Sequence, residues 1–366
     1  MTRSHRQKTR SPLSAEEFTR IAEIGRRAGL DEIGACAVQR WDRTRAVLES
    51  RRAVGLAADM EFTYRNPARS TDPGRVLRNA RSIVVGARSY SQKVPAPPVG
   101  QVSARVARYA TADHYGRLEA GLEAIADALR AAGVRAVVVS DENALVDREA
   151  AWRAGIGWYG RNSNLLVPGK GSWFVLGSVV TDVAIAVDPR PLSDGCGPCT
   201  RCLTSCPTDA IVAPGTIDAR RCLAWLLQAP GSFPIEFREA LGDRIYGCDD
   251  CQEVCPPNRA TDVRLDRSGD LPTESDPGIW LDAIELLGLG DDALVERCRR
   301  WYIPGREAST IRRNLLVVLG NAAEAGDARV RDVLMSHLDH PDPMLREHAR
   351  WAAARLPGGV PSDGQR

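Results

Sequence analysis

The sequence predicts an α/β layer at the N-terminus, a loop-rich body built around cysteines, and an all-helical C-terminus, in that order along 366 residues. Three observations carry this. Short apolar runs alternate with amphipathic helical stretches through the first half of the chain. Proline, glycine and cysteine then dominate from Asp188 to Pro257. Beyond an acidic connector, Asp262 to Asp276, helical periodicity returns. A chain of this length exceeds what one growing hydrophobic core supports, so several domains are expected. The boundaries read as 1–12 for a disordered tail, then 13–187, 188–260 and 261–360.

Ser14-Ala15-Glu16-Glu17 is a capping-box pattern, and the apolar residues Phe18, Ile21, Ala22 and Ile24 continue it into a helix that should stop at Gly29. Strand-sized apolar runs follow at Ile33 to Val38, Ile83 to Ala87 and Val134 to Val139, with a long helix from Tyr115 to Ala132 stopped by Gly133. Val94 to Gly100 is a surface loop by composition. Gly155-Ile156-Gly157-Trp158-Tyr159-Gly160 precedes a strand-like run, Ser172 to Val183; its glycines fit either tight turns or close backbone approach to a ligand. In the C-terminal part, Ile311-Arg312-Arg313-Asn314-Leu315 and Leu345-Arg346-Glu347-His348-Ala349 are offset by 34 positions. That offset resembles a short HEAT-type helical repeat, with a plain helical hairpin as the alternative.

Composition narrows the function classes. Hydrophobic residues are 43% and charged residues 26%, as in ordinary globular proteins, and the formal net charge of +2 demands no polyanion partner. Lysine occurs only at Lys8, Lys93 and Lys170, so nearly all the positive charge is arginine. No apolar run reaches the ~20 residues that span a bilayer, and Met1 to Arg10 lacks the apolar core of a signal peptide. A cytoplasmic protein with no membrane contact is expected, in which eight of the ten cysteines serve as ligands and disulfides are not expected.

Cys196, Cys199, Cys202 and Cys206, followed by Pro207, reproduce C-x2-C-x2-C-x3-C-P, the bacterial ferredoxin run whose fourth cysteine ligates a second cluster. Proline pushes the preceding residue into an extended conformation, which turns its sulfur away from the first three. Cys248, Cys251 and Cys255 with Pro256 supply the complementary run, and Cys222 lies upstream. Ferredoxin logic assigns Cys196, Cys199, Cys202 and Cys255 to one 4Fe-4S cluster and Cys206, Cys222, Cys248 and Cys251 to another. Two four-cysteine zinc sites are the alternative, but structural zinc prefers pairs of C-x2-C with a longer spacer. Cys36 and Cys298 lie outside both runs and read as small buried hydrophobes.

Two segments carry a resemblance to a family. Asp243-Arg244-Ile245-Tyr246-Gly247-Cys248-Asp249-Asp250-Cys251-Gln252-Glu253-Val254-Cys255-Pro256 is similar to a signature of the bacterial epoxyqueuosine reductases, and Gly155 to Asn162 resembles their A-G-[IL]-G-W-x-G-K-N segment. The resemblance implies a cobalamin-binding α/β domain, a two-cluster ferredoxin-like domain and a HEAT-like helical domain. It also implies reduction of epoxyqueuosine to queuosine at the wobble position of tRNA, by a monomer supplied by an external donor such as a flavodoxin or ferredoxin system. Asp141 matches the family's proton donor, and it directly follows a predicted strand. Read without the resemblance, it could simply cap the next helix. The corrinoid contacts that the resemblance implies are Arg65, Tyr109, Asp141, Asn162, Ser172, Trp173, Ala224 and Asp249. No D-x-H-x-x-G motif is present to offer cobalt a histidine.

The chain departs from the family pattern at Leu223 to Gln228, where many members read S-Y-L-T-I-E, and at Arg161, where lysine is usual. Arg299, Arg300, Arg306, Arg312 and Arg313, beside Trp301 and Tyr302, are candidates for forking tRNA phosphates and stacking on splayed bases. A solvated basic face is the alternative. The competing functions are a corrinoid iron-sulfur reductase of a small molecule, similar to the reductive dehalogenases, and a non-enzymatic ferredoxin-like electron carrier.

Overall fold

The computed structural model describes residues 11–268, 278–323 and 327–356, and the chain within them divides into two compact units. Neither is continuous in sequence. The first comprises residues up to Gly55 together with 60–90 and 114–199; the second comprises 56–59, 91–113 and the chain from Thr200 onward. This corrects the expected three consecutive domains. From Thr200 onward the cysteine-rich and helical parts share one unit, with a piece of the N-terminal sequence built into it, while Cys196 and Cys199 belong to the other.

In the first unit, α1 (Ala15–Arg27) begins as expected: Ser14 Oγ accepts the Glu17 N–H at 3.2 Å while Glu17 returns a carboxylate to the Ser14 N–H at 2.7 Å. The helix ends just before Gly29, whose φ of +95° suits glycine. Then come β1 (Glu32–Ala37), α2 (Asp42–Ala53) and β2 (Ser82–Ser89). The second unit takes β3 (Ser103–Val106), after which the first resumes with α3 (His114–Ala131), β4 (Ala136–Ser140) and α4 (Asp147–Arg153). A small hairpin, β5 (Trp158–Tyr159) with β6 (Leu165–Leu166), precedes β7 (Phe174–Thr181).

The main sheet runs β1-β2-β7-β4, and every neighbouring pair is antiparallel. Strands and helices are therefore layered as the sequence predicts, but not as the parallel sheet in which ligands gather at carboxyl ends. Helices α1 and α3 cover one face and α4 the other. Gly86 and Gly177 are register partners, and a Cβ on either would come within 3 Å of Leu122, so glycine there lets α3 lie close on the sheet. On the α4 side, Cys36, Ile83, Val85, Val139, Ala150, Ala151 and Val180 form the core.

In the second unit, β3 lies between β8 (Arg244–Tyr246), parallel to it, and β9 (Trp280–Asp282), antiparallel. The predicted acidic connector is corrected in its first part: helix α5 (Pro256–Ser268) runs through it, while 269–277 lie outside the described residues. Helices α6 (Ala308–Ala322), α7 (Ala328–Leu338) and α8 (Pro343–Arg355) follow. The two motifs offset by 34 positions fall in α6 and α8, which pack directly; a Cβ on Gly320 would meet Trp351 at 2.7 Å and Ala352 at 2.9 Å. Among the described residues no helix is long and apolar enough to cross a membrane.

A buried histidine ties α8 to the segment ahead of β8. His348, fully enclosed, gives its Nδ1 hydrogen to Met344 O at 2.8 Å and accepts the Phe233 N–H on Nε2 at 3.2 Å. Burial pushes its pKa from the ordinary 6.5 down to about 4, so the ring is neutral in the fold. Between those values the unfolded chain binds a proton that the folded site refuses. The stabilisation is complete above about pH 6.5 and is lost as pH falls toward 4, amounting to roughly 3 kcal/mol. Thermal melts from pH 7 to 4.5 should therefore show a falling midpoint. The fall should be shallower in His348→Gln, and an equal slope in the two proteins would remove His348 from this account.

Candidate active site and cluster ligands

In the first unit the site is built where β4 turns into α4. Asp141 comes directly after β4 in a left-handed backbone conformation, φ +48°, which a non-glycine residue adopts at a cost of about 1–3 kcal/mol. Its turn is tied at both ends. Asn143 Oδ1 accepts the Thr63 N–H, and the Val146 N–H donates to Ser70 O at 3.1 Å. Val146 and not Asp141 is the N-cap of α4, and it makes no side-chain cap, so the bland capping role is excluded.

The Asp141 carboxyl reaches solvent along one side, yet packed neighbours strip enough water from it to raise its pKa above the ordinary carboxylate value. Asp147, the first residue of α4, is more strongly affected: Oδ1 is buried without a hydrogen-bond partner, and burial reinforced by the Asp141 charge holds the carboxyl well above the usual range. The Tyr115 hydroxyl on α3 faces both carboxyls, and burial together with their charge raises its pKa too. Ser140 Oγ, one residue before Asp141, is likewise buried without a partner.

The remaining residues expected in this unit are dispersed around the same sheet. Asn162, Ser172 and Trp173 are buried. Asn162 Oδ1 accepts the Asn164 N–H at 3.2 Å, and Trp173 meets Tyr90 edge-on at 5.8 Å between ring centroids. Arg65 is exposed and reaches Glu61 at 3.7 Å. The glycine run is resolved in favour of the chain's own turns: a Cβ on Gly157 would sit 2.3 Å from Leu166 O, and one on Gly160 would sit 2.2 Å from Leu166 Cδ1. The same hairpin leaves Trp158 Nε1, Arg161 Nε and Ser163 Oγ buried without partners.

In the second unit Cys206, Cys222, Cys248 and Cys251 line one cavity, walled by Pro207, Ala210, Ile211, Ile217 and Leu223. The grouping is the one that ferredoxin spacing predicts. The Ala210 N–H points at Cys206 Sγ at 3.2 Å, the backbone N–H groups of Ala224 and Trp225 at Cys222, and that of Asp250 at Cys248. Burial raises the Cys222, Cys248 and Cys251 thiols, so without a metal they stay protonated, and binding one releases protons. Among the described residues no three His, Cys, Asp or Glu side chains converge closely enough to hold a single ion. Four sulfurs ringing a cavity with backbone N–H groups aimed at them suit a cube. Cys36 and Cys298 are buried, and desolvation pushes both thiols up to about 12, as expected of inert packing residues.

Ala224 sits in the helical turn after Cys222, and its carbonyl accepts from Gln228 at 3.0 Å. Asp249, buried between two of the cysteines, accepts the Arg108 N–H at 2.8 Å, while the Arg108 guanidinium pairs with Asp262 at 2.7 Å. Tyr109 packs obliquely on Tyr246, which in turn stacks on Trp301 at 4.7 Å. The sequence offered no signal for the Arg108–Asp262 pair or for this aromatic stack, because their members are far apart in the chain.

The basic candidates divide. Arg299, Arg300 and Arg306 are exposed, as is Tyr302, although Arg299 pairs with Glu296 at 2.9 Å. Arg312 and Arg313 are corrected: both are buried with their donors spent on the protein. Arg312 donates to Leu287 O and Leu289 O and pairs with Asp291. Arg313 donates to Ala229 O, Gly231 O, Leu226 O and Asn314 Oδ1. Neither guanidinium is presented to a phosphate.

Residues 195–258 match the family described as a 4Fe-4S double cluster binding domain. The chain is 33% identical over 346 residues to the epoxyqueuosine reductase of Vibrio cholerae, covering 88% of each protein. It is 31% identical to that of Bacillus subtilis, covering 92% of this chain and 86% of the relative. It superposes with a TM-score of 0.83 and 29% identity on an epoxyqueuosine reductase crystallised with an epoxyqueuosine-modified tRNA-Tyr stem loop, over 93% of this chain and 90% of that one. A Bacillus subtilis epoxyqueuosine reductase whose catalytic aspartate loop is swung out of the active site gives 0.82 and 28%, with the same coverage.

Proposed function

Because the chain belongs to the epoxyqueuosine reductase family, we propose that it reduces the epoxide of epoxyqueuosine to the alkene of queuosine in the anticodon loop of tRNA. Family membership across nearly the whole chain is the observation that carries this reading. The turn bearing Asp141 and the four-cysteine cavity supply its chemistry. Cys206, Cys222, Cys248 and Cys251 hold one 4Fe-4S cluster and Cys196, Cys199, Cys202 and Cys255 the other, forming a short relay for single electrons. An external donor of the flavodoxin or ferredoxin class feeds it, and the enzyme works as a cytoplasmic monomer. The helical pair α6 and α8 is the core of a HEAT-like region, and the exposed Arg299, Arg300 and Arg306 with Tyr302 contact the RNA.

The group that receives these electrons is cobalamin, which when bound supplies a strongly reducing centre for attack on the strained ring. The fit rests on buried polar atoms left without partners beside the hairpin, Arg161 Nε and Ser163 Oγ, which suit a large ligand rimmed with amides. Asn162, Ser172 and Trp173 are the buried residues of the first unit that would hold it, with Arg65 exposed nearby in the same unit. Asp141 holds the proton for the departing oxygen. Desolvation raises the pKa of this carboxyl, which favours the acid form that a general acid needs.

Nucleoside composition of bulk tRNA from a deletion strain tests the function: epoxyqueuosine should accumulate and queuosine should disappear, and unchanged queuosine would refute the assignment. Metal analysis of anaerobically prepared protein should find about eight irons per chain, falling to about four in Cys222→Ser as the second cluster is lost. Zinc in place of iron would overturn the ligand assignment.

A further inference from the structure

Opening an epoxide to an alkene breaks both carbon–oxygen bonds and consumes two electrons and two protons, releasing the oxygen as water. The first proton is taken as the ring opens to a hydroxyl group and the second as that hydroxyl leaves. The clusters and their external donor account for the electrons. Asp141 alone holds one proton, so a second must reach the same place within each turnover.

We propose that Asp147 is the store from which Asp141 is reprotonated between the two proton-consuming steps. This rests on the reading of Asp141 as proton donor. Asp147 is anchored where Asp141 is not: it is the first residue of α4, which packs on the sheet, whereas Asp141 lies in the preceding turn. Its Oδ1 is buried and engages no donor, although the carboxyl also accepts its own backbone N–H. The charged and titratable groups around it are few. Asp141 and Glu142 come from the turn, Arg148 follows it on α4, and Tyr115 faces it from α3 with Tyr90 behind. Glu149, the other acid of α4, is engaged by Arg153 at 2.7 Å and by the Tyr159 hydroxyl of β5 at 3.3 Å. Four of the groups around Asp147 are acids or phenols against one arginine, an environment that favours the protonated form of this carboxyl more than that of its more solvated neighbour.

The roles separate under substitution. Asp147 passes its proton through Asp141 and not to substrate, so it is a positioning residue, and Asp147→Asn should leave tRNA affinity unchanged. Turnover should fall about tenfold, less than the roughly 10²–10⁴-fold that an acid acting directly on substrate contributes. The rate of the variant should then depend on buffer, rising with the concentration of a small weak acid such as imidazolium, because bulk acid must now recharge Asp141; Asp147→Glu should restore buffer-independent turnover. A structural role would not produce buffer dependence. Infrared difference spectra of protein without cobalamin give a second readout: one component of the carbonyl stretch of protonated carboxylic acids at neutral pH should be lost in Asp147→Asn and persist in Asp141→Asn.

Wild-type turnover in Asp147→Asn, or slow turnover that no weak acid accelerates, would overturn the proposal. So would the absence of the protonated-carboxyl band from the wild-type protein. Failure of the wild-type enzyme itself to reduce epoxyqueuosine in tRNA would instead sink the functional reading, which keeps the two failures distinct.

Discussion

Asp141→Asn is expected to lower turnover by about 10²–10⁴-fold, the span attributed to a positioned general acid, without loosening the fold. Asparagine is nearly isosteric and can occupy the left-handed position at Asp141 as readily as aspartate, so the backbone of the turn is preserved. What disappears is the transferable proton. Because desolvation raises the Asp141 carboxyl, its acid form predominates below its pKa and is lost above it. Wild-type turnover should therefore decline on the alkaline side, and that limb should be missing from the residual rate of the variant. Single-turnover assays on chemically reduced enzyme, with separate measurement of stem-loop binding, read both quantities. A variant within twofold of wild type at neutral pH would remove Asp141 from the chemistry.

The second large effect is structural and lies far from Asp141 in the chain. Arg313 is enclosed in α6, and burial beside a second buried guanidinium, Arg238, lowers its pKa to about 10. Its donors reach the carbonyls of Leu226, Ala229 and Gly231, while the neighbouring Asn314 donates to Leu227 O at 2.8 Å and Ile245 O at 3.1 Å. These carbonyls belong to the segment following Cys222 and the strand preceding Cys248, so one turn of α6 holds in place the backbone carrying two of the cavity's four sulfurs. Arg313→Ala strands several buried acceptors at once, each at a cost of about 1–3 kcal/mol. The expected result is a large drop in thermal midpoint together with iron loss approaching that of Cys222→Ser. If iron content and melting were unchanged, Arg313 would not be the strut that its bonds describe.

The elements that could be read directly are those whose causes are local. The Ser14 capping box, the helix stops at Gly29 and Gly133 and the strand at Val134 to Val139 depend on residues within a few positions of one another. The grouping of Cys206, Cys222, Cys248 and Cys251 was also legible, because proline and short spacing constrain where a sulfur can point. Asp141 could be singled out only by resemblance, since a lone aspartate after a strand is as compatible with a cap. The misreadings share one cause. Arg312 and Arg313 stand in an arginine-rich stretch next to exposed aromatics, and nothing in that stretch says that Arg312 turns inward to the carbonyls of Leu287 and Leu289, or Arg313 to those of Leu226, Ala229 and Gly231.

By itself, then, the sequence determined the ferredoxin-type spacing of the cysteines, the alternation of strands and helices in the first half, and the resemblance to the family. All three rest on short-range spacing or on strings of adjacent residues. Only the tertiary structure decided that the sheet is antiparallel, that Ser103–Val106 joins a sheet with strands from the far end of the chain, and that two arginines assigned to RNA are internal struts. It also set Asp147 beside Asp141 with an unengaged carboxyl oxygen. Hydrogen-bond satisfaction and desolvation are properties of the packed chain, and no window of sequence contains the partners that settle them.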